Sequence, residues 1–490
     1  MKTDTRAPTR TGGGRLDSFF SITNRGSTVR REIRGGLVTF FAMAYIIVLN
    51  PLIIGTAKDA GGQVLGIPTV AAVTALVAAV MTILMGVIGR YPFAIATGLG
   101  LNAFIAAGVA SQMSWPDAMG LVVCEGIVIT VLVLTGFRTA VLRAIPGQLK
   151  IAIGVGIGLF IALIGLVDGG IVRRVPDAAQ TTVPVQLDVG NGLQGWPVLV
   201  FVIGLLVMAA LIALRVRGAL LIGIVVNTAI AVIVEAVAHI GPAVDAAGKV
   251  NPSGWQLNVP KFSSHVFATP DLSLLGHFSL FGGFSQIGII AAGLIVFSIM
   301  LSDFFDTMGT VVGVGAEGGL LDDDGHLPGI ERVLFVDSLA AAAGGAASSS
   351  SNTTYIESAA GVGDGARTGL ASVMTGLLFV AALFLTPLVS VVPSEAAAPA
   401  LVVVGCLMLA QVRNLDLTDF SLAFPAFLTI VLMPFTYSIT NGVGAGFVSY
   451  VVLQSVKGKA RDIHPLLWIV AVLFVIYFAI GPIKQLLGIS

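Results

Sequence analysis

The chain has 490 residues, of which 56% are hydrophobic and only 11% charged, whereas soluble domains carry roughly 25% charged residues. This composition excludes a pair of water-soluble domains and indicates a polytopic membrane protein. Its 26 basic and 26 acidic residues cancel to a formal net charge of +0, so the charge balance gives no sign of a nucleic-acid partner.

Residues 1–35 are polar and rich in arginine, with no apolar stretch ahead of them. This predicts a cytoplasmic N-terminal tail rather than a cleaved signal peptide. A bilayer-crossing helix needs about 17–25 apolar residues. Runs of that kind lie at 36–55, 68–89, 116–136, 149–167, 197–214 and 218–240, with a shorter glycine-rich run at 92–110. A polar stretch at 241–284 follows, and then a second series: 285–315, 330–347, the short 351–365, 368–391, 396–412, 421–438 and 440–457. A last apolar stretch at 464–487 falls outside this count and is an extra span, a re-entrant piece, or a sign that the last helices divide elsewhere.

Charge tests this order independently, because loops on the cytoplasmic side collect lysine and arginine. With the N-terminus inside, alternate loops carry Arg90; Arg138, Arg143 and Lys150; Arg215 and Arg217; Arg367; Arg413; and Lys457, Lys459 and Arg461. The exception is Arg173 and Arg174, offset by Asp168, Asp177 and Asp188. Two series of seven predict a second half with inverted topology, and in each half the third element is the short one. Inverted repeats with broken helices at matching positions mark a binding site in transporters.

The tenth element contains the sharpest signal, SSSSNTTYIESAAGVGDGARTG over 348–369, which places Glu357 at membrane depth. An ionisable residue there is a functional-site hypothesis by default. The eighth element, SIMLSDFFDTMGTVVG, adds Asp303 and Asp306 at a spacing that puts them on one helix face, with Thr307 and Thr310 nearby. Asn102 offers an amide near the start of the third element, where Gly98 and Gly100 would admit a close ligand. Carboxylates accept paired N–H groups and, when protonated, also donate. Asp306 and Glu357 therefore suit a neutral, planar, hydrogen-bonding solute and a coupling proton. Asp303 reads equally as a structural partner of a neighbouring helix, Glu125 and Asp337 as buried structural hydrogen-bonding groups, and Ser348–Ser351 as more than a helix cap requires.

The remaining patterns lead nowhere. Gly313–Gly318 fits GxGxxG but ends a membrane helix with no strand before it. The acidic run Asp322–Asp324 lacks calcium-loop spacing, and the five histidines form no metal pattern. Nothing suggests an enzyme, a cofactor or a metal. Cys124 and Cys406 both fall in apolar runs, which predicts free buried thiols and no disulfide.

Four stretches, SFFSITNRGSTVRREIRGGLVTFFAMAYIIVLNP at 18–51, TGLGLNAFIA at 97–106, DFFDTMGT at 303–310 and NTTYIESAAGVGDGARTG at 352–369, resemble the AzgA-like adenine/guanine/hypoxanthine permeases. These belong to the xanthine/uracil and nucleobase/ascorbate permease superfamily. The resemblance runs in order over nearly the whole chain. It implies an all-α polytopic fold of fourteen transmembrane segments in 7+7 inverted repeats, with a short strand and a half-helix at segments 3 and 10. It also implies a core domain (36–136 and 285–391), a gate domain (137–240, and 392–490 with the C-terminal segment) and an extracytoplasmic loop at 241–284. By the same resemblance the substrate-binding positions are Asn102, Asp306 and Glu357, with Asp303 and Thr354 beside them, and an aromatic residue such as Phe93 or Phe104 packs on the base. Ser358 stands where the uracil branch has asparagine.

The resulting expectation is a permease that imports adenine, guanine or hypoxanthine by proton symport, with alternating access. Glu357 and Asp306 are the coupling groups, in a multi-pass protein of the cytoplasmic membrane, and the resemblance implies a homodimer. The alternative on the same fold is an anion exchanger or channel of the sulfate-transporter type.

Overall fold

The computed structural model describes residues 14–135, 145–174, 185–186, 195–243, 251, 253–256, 258–261, 266–322, 327–436 and 438–479. Of the loop residues that bear on sidedness, Arg138, Arg143, Asp177, Asp188, Asp323 and Asp324 lie outside these, as does the end of the last apolar stretch.

Helices follow the apolar runs. Segment 1 begins at Val29, ahead of its apolar run, as Val29–Met43. Its first turn is pinned where buried Glu32 accepts the backbone N–H groups of Arg367 (2.9 Å) and Thr368 (3.2 Å). After a break at Ala44 and Tyr45 it resumes as Ile46–Ile54. Segment 2 is Ile67–Leu84, continued by a wide turn to Gly89. Segments 4 to 7 are Trp115–Leu134, Gly147–Asp168, Trp196–Ala213 and Ala219–Ala238. Segment 8, Ile289–Glu317, starts later than 285 because Gly288, at φ +85°, separates it from the short helix Gly282–Ile287. Segment 9 is Ile330–Ala346, segment 11 begins as Gly369–Ala382, and segments 12 to 14 are Ser394–Leu409, Phe420–Phe435 and Ile439–Val456. Among the described residues, ten helices are long and apolar enough to cross a bilayer; this is a multi-pass membrane protein.

Two sets of helices pack most extensively. Segment 5 packs on 12 and 13, 6 on 7 and 12, and 13 on 14, while segment 1 packs on 10 and 11, 2 on 11, and 4 on 9. Small residues make the approaches possible, since packing in lipid relies on backbone proximity. A Cβ on Gly405 in segment 12 would lie 2.4 Å from the carbonyl oxygen of Gly158 in segment 5. One on Gly361 in segment 10 would lie 2.4 Å from that of Gly35 in segment 1.

The final stretch forms the helix Pro465–Phe478, capped by His464 Nδ1 accepting from the Leu466 N–H at 3.2 Å. It packs on segment 14 through Phe474, edge-on to Phe447 at 6.3 Å between ring centroids. Both cysteines are free, but neither is fully buried: Cys124 is partly exposed and Cys406 exposed, because its side of segment 12 faces outward.

Candidate functional site

Segments 3 and 10 depart from helix at the same place in the structure. Ile95–Thr97 and Asn352–Thr354 pair as antiparallel strands, with Ile95 opposite Thr354, Ala96 opposite Thr353 and Thr97 opposite Asn352. All six residues are buried. A two-stranded sheet inside a membrane protein leaves two unpaired edges, and their N–H and C=O groups need partners there. Side chains supply several of them. Thr82 Oγ1 accepts the Ile95 N–H at 2.9 Å and donates to the Ile95 carbonyl at 3.0 Å. Asp337 Oδ1 accepts the Thr354 N–H at 2.9 Å. The turn leading into the second strand is the serine run. Ser348 and Ser350 adopt positive φ (54° and 79°), the Asn50 amide donates to the Ser349 carbonyl at 3.0 Å, and Ser351 Oγ donates to Glu125 Oε2 at 3.1 Å. The four serines therefore form a buried turn rather than a cap.

The second strand delivers Tyr355, Ile356 and Glu357 to the start of the half-helix Ser358–Gly363. Glu357 is half-buried, and its Oε1 accepts a hydrogen bond from the Tyr45 hydroxyl at the break in segment 1. The Tyr355 hydroxyl donates to the Thr97 carbonyl at 2.5 Å and ties the two short elements together. Asp306 on segment 8 is exposed, as is Ile356 at 53%. Tyr45, Tyr355, Asp306 and Glu357 lie close enough to act on one another electrostatically, and the groups acting on them include no cation. The arrangement is two accessible carboxyl groups beside phenols and an apolar side chain. It can accept several N–H donors from one flat solute.

The other predicted residues take different places. Asp303 is fully buried, and neither of its oxygens accepts a well-formed hydrogen bond. Residues three apart on a helix differ by about 60° in direction, enough to bury Asp303 while Asp306 stays exposed. The Thr354 hydroxyl is also buried and donates to Asp337 Oδ1 at 2.8 Å. Asn102 is buried on the helix Leu99–Phe104 with its Nδ2 donating to Thr97 Oγ1 at 3.0 Å, and its Oδ1 has no protein partner. Gly100 opens onto another helix rather than toward a ligand: a Cβ there would lie 2.4 Å from Ile157 Cγ2 of segment 5. Phe93 and Phe104 are both fully buried, and Phe93 stacks on Tyr91 at 5.6 Å. Sequence reasoning passed over Tyr45 and Tyr355. The available signal for Tyr45 was a lone hydroxyl within the apolar run FAMAYIIVLN.

Comparison with known proteins places this geometry in context. The model of the Permease family matches residues 30–444. The guanine/hypoxanthine permease PbuG of Bacillus subtilis (strain 168) is 38% identical over 94% of this chain and 99% of its own. The adenine permease AdeP of Escherichia coli (strain K12) is 36% identical over 95% of this chain and 96% of its own. Among solved structures, the transmembrane domain of the cyanobacterium bicarbonate transporter BicA superposes with a TM-score of 0.59, at 13% identity, over 85% of this chain and 96% of that one. At that identity the likeness concerns the fold alone.

Proposed function

The chain belongs to the Permease family, in its AzgA-like adenine/guanine/hypoxanthine branch, and on that premise we propose that it imports purine nucleobases by proton symport. It is a transporter and not an enzyme. Glu357 and Asp306 accept purine N–H groups, Asn102 positions the tenth-segment arm, and one of the two carboxyls takes up the co-transported proton from the open side. The observation that carries this reading is the pairing of an exposed Asp306 with a half-buried, tyrosine-bonded Glu357 beside the paired strands. Two carboxyls and no cation among the groups acting on them also weigh against an anion as substrate.

Alternating access follows from the two sets of tightly packed helices, moving against each other around a site at broken segments. Where the sets meet, Asp364 after segment 10 pairs with both Arg34 of segment 1 and Arg217 before segment 7. The Arg217 contact is one that such motion breaks. We place the protein in the cytoplasmic membrane with its N-terminus inside, on the arginine and lysine bias of alternate loops. The test is uptake of labelled purines by Glu357→Gln and Asp306→Asn in cells without their own permeases, with surface expression measured in parallel. Loss of uptake at normal expression is expected; full uptake by either variant removes that residue from the mechanism.

A further inference from the structure

The two sets of helices touch where segment 7 begins. Arg217 and Gly218 lead into Ala219–Ala238, which packs on segments 6 and 12. Asp364 ends the half-helix Ser358–Gly363, which packs on segment 1. Asp364 receives a guanidinium from each side. Arg217 Nη1 donates to its Oδ1 and Arg34 Nε to its Oδ2, while Arg34 Nη2 donates to its backbone carbonyl at 3.0 Å. A second contact lies beside the first: a Cβ on Gly218, which has φ +71°, would lie 2.9 Å from the carbonyl oxygen of Phe41 in segment 1 and 3.7 Å from its Cβ.

The two arginines are not equivalent. Arg34 belongs to the same body as Asp364, because segment 1 and the tenth arm approach at backbone distance. A Cβ on Gly35 would lie 2.6 Å from the Cβ of Ala366 and 2.9 Å from the Gly361 carbonyl oxygen. Glu32, one turn from Gly35, accepts the N–H groups of Arg367 and Thr368. Arg34 therefore stays with Asp364 when the other set moves, whereas Arg217 travels with segment 7. The Asp364 side chain is 10% exposed, those of Arg34 and Arg217 59% and 52%. When the sets part, Arg217 passes into water and Asp364 keeps a counter-ion. A carboxylate this enclosed and left with no cation would be strongly disfavoured. The resident arginine thus makes the departing one easy to release.

We propose that Asp364 is a releasable latch between the two helix sets, with Arg217 the cation that lets go and Arg34 the resident cation that keeps Asp364 neutralised meanwhile. The latch is joined to the substrate site by one short element. The half-helix that ends at Asp364 starts at Glu357, about 9 Å away along its axis. Glu357 in turn is bonded to Tyr45 at the break in segment 1, the segment that carries Arg34. A purine held by Glu357 and an arginine held by Asp364 therefore act on the two ends of the same rigid piece.

The inference rests on the alternating-access reading, and the experiment separates the two. In protein with Cys124 and Cys406 replaced by serine, Phe41→Cys and Gly218→Cys place two thiols where a disulfide can span them. Oxidation should stop purine uptake and reduction restore it. Uptake unchanged by the cross-link overturns the latch and leaves purine transport intact. In the purified protein, Arg217→Gln and Asp364→Asn should each slow cross-linking at least about fivefold, and Arg34→Gln should not; rates indifferent to Arg217→Gln and Asp364→Asn also overturn it. A wild type that carries no purine overturns the transport reading alone, since these rates are read without substrate. Cysteine at position 218 carries backbone strain, so a second test keeps the glycine. Arg34→Gln should slow uptake at least about tenfold, because release of Arg217 then strands Asp364. Adding Asp364→Asn should bring uptake back to within about threefold of wild type. An Arg34→Gln defect that Asp364→Asn leaves in place contradicts the resident role and marks Arg34 as merely structural.

Discussion

Segments 3 and 10 are built to one plan, a three-residue strand and a six-residue helix, and their strands pair. Their contents differ sharply. From Pro92 to Ala110 the third segment has no titratable side chain, and its polar groups, Thr97 and Asn102, mostly serve each other. The tenth carries Glu357 at its turn, hangs from Asp337 by Thr354, and is entered through four buried serines. One arm is scaffold and the other holds the chemistry. Related architecture on the two sides of a site does not require related roles.

If that division is right, damage to the tenth arm should exceed damage to the third. Asp337→Ala leaves three buried donors without an acceptor, at about 1–3 kcal/mol each, so the largest loss expected is several kcal/mol of stability, read as a much lower thermal midpoint in detergent. Glu357→Gln removes a charged acceptor worth about 2–3 kcal/mol to a bound N–H donor. Uptake should fall about 30- to 150-fold with the thermal midpoint unchanged. Tyr45→Phe deletes one hydrogen bond to Glu357, of about 1 kcal/mol; a roughly fivefold rise in the half-saturating purine concentration is expected. Asn102→Ala on the third arm costs a single internal bond of similar size and should reduce uptake less than Tyr45→Phe does. An effect of Asn102→Ala as large as that of Glu357→Gln would abolish the distinction between the arms.

The smallest effect belongs far from both arms. Lys457 Nζ donates to both oxygens of Asp419 at 2.7 and 2.8 Å, and this, with the Ser421 N–H and hydroxyl, holds the Asp419 carboxyl down at about 2. A carboxyl depressed in the folded state contributes above its ordinary value of about 3.9 and loses that contribution as the pH falls through about 2. Both side chains are well exposed, and such surface pairs rarely contribute measurably. Asp419→Asn should therefore leave uptake and thermal midpoint at neutral pH unchanged.

Much of the fold was legible in the sequence because span length and hydropathy are set by the bilayer, and the helices sit on the apolar runs. The two broken segments were legible as short elements with polar insertions, and Glu357 as a charge where lipid would not tolerate one. The pairing of Ile95 with Thr354 was not, since nothing local couples residues so far apart in the chain. Spacing put Asp303 and Asp306 on one helix face and left Asp303 open between a ligand and a structural role; only packing shows Asp303 fully buried and Asp306 exposed. Gly100 signalled a close approach, but to Ile157 rather than to a ligand. Tyr45 was hidden because a single tyrosine in an apolar run resembles any interfacial aromatic until the helix break aims it at Glu357.

The central claim is most directly tested by uptake of radiolabelled adenine, hypoxanthine and guanine into cells lacking their own permeases, with and without a protonophore. Uptake of at least one purine that collapses with the protonophore, and falls at least about 30-fold in Glu357→Gln at equal surface expression, is the predicted result. Purine uptake indifferent to the protonophore, or no purine uptake from a protein present at the membrane, would contradict it.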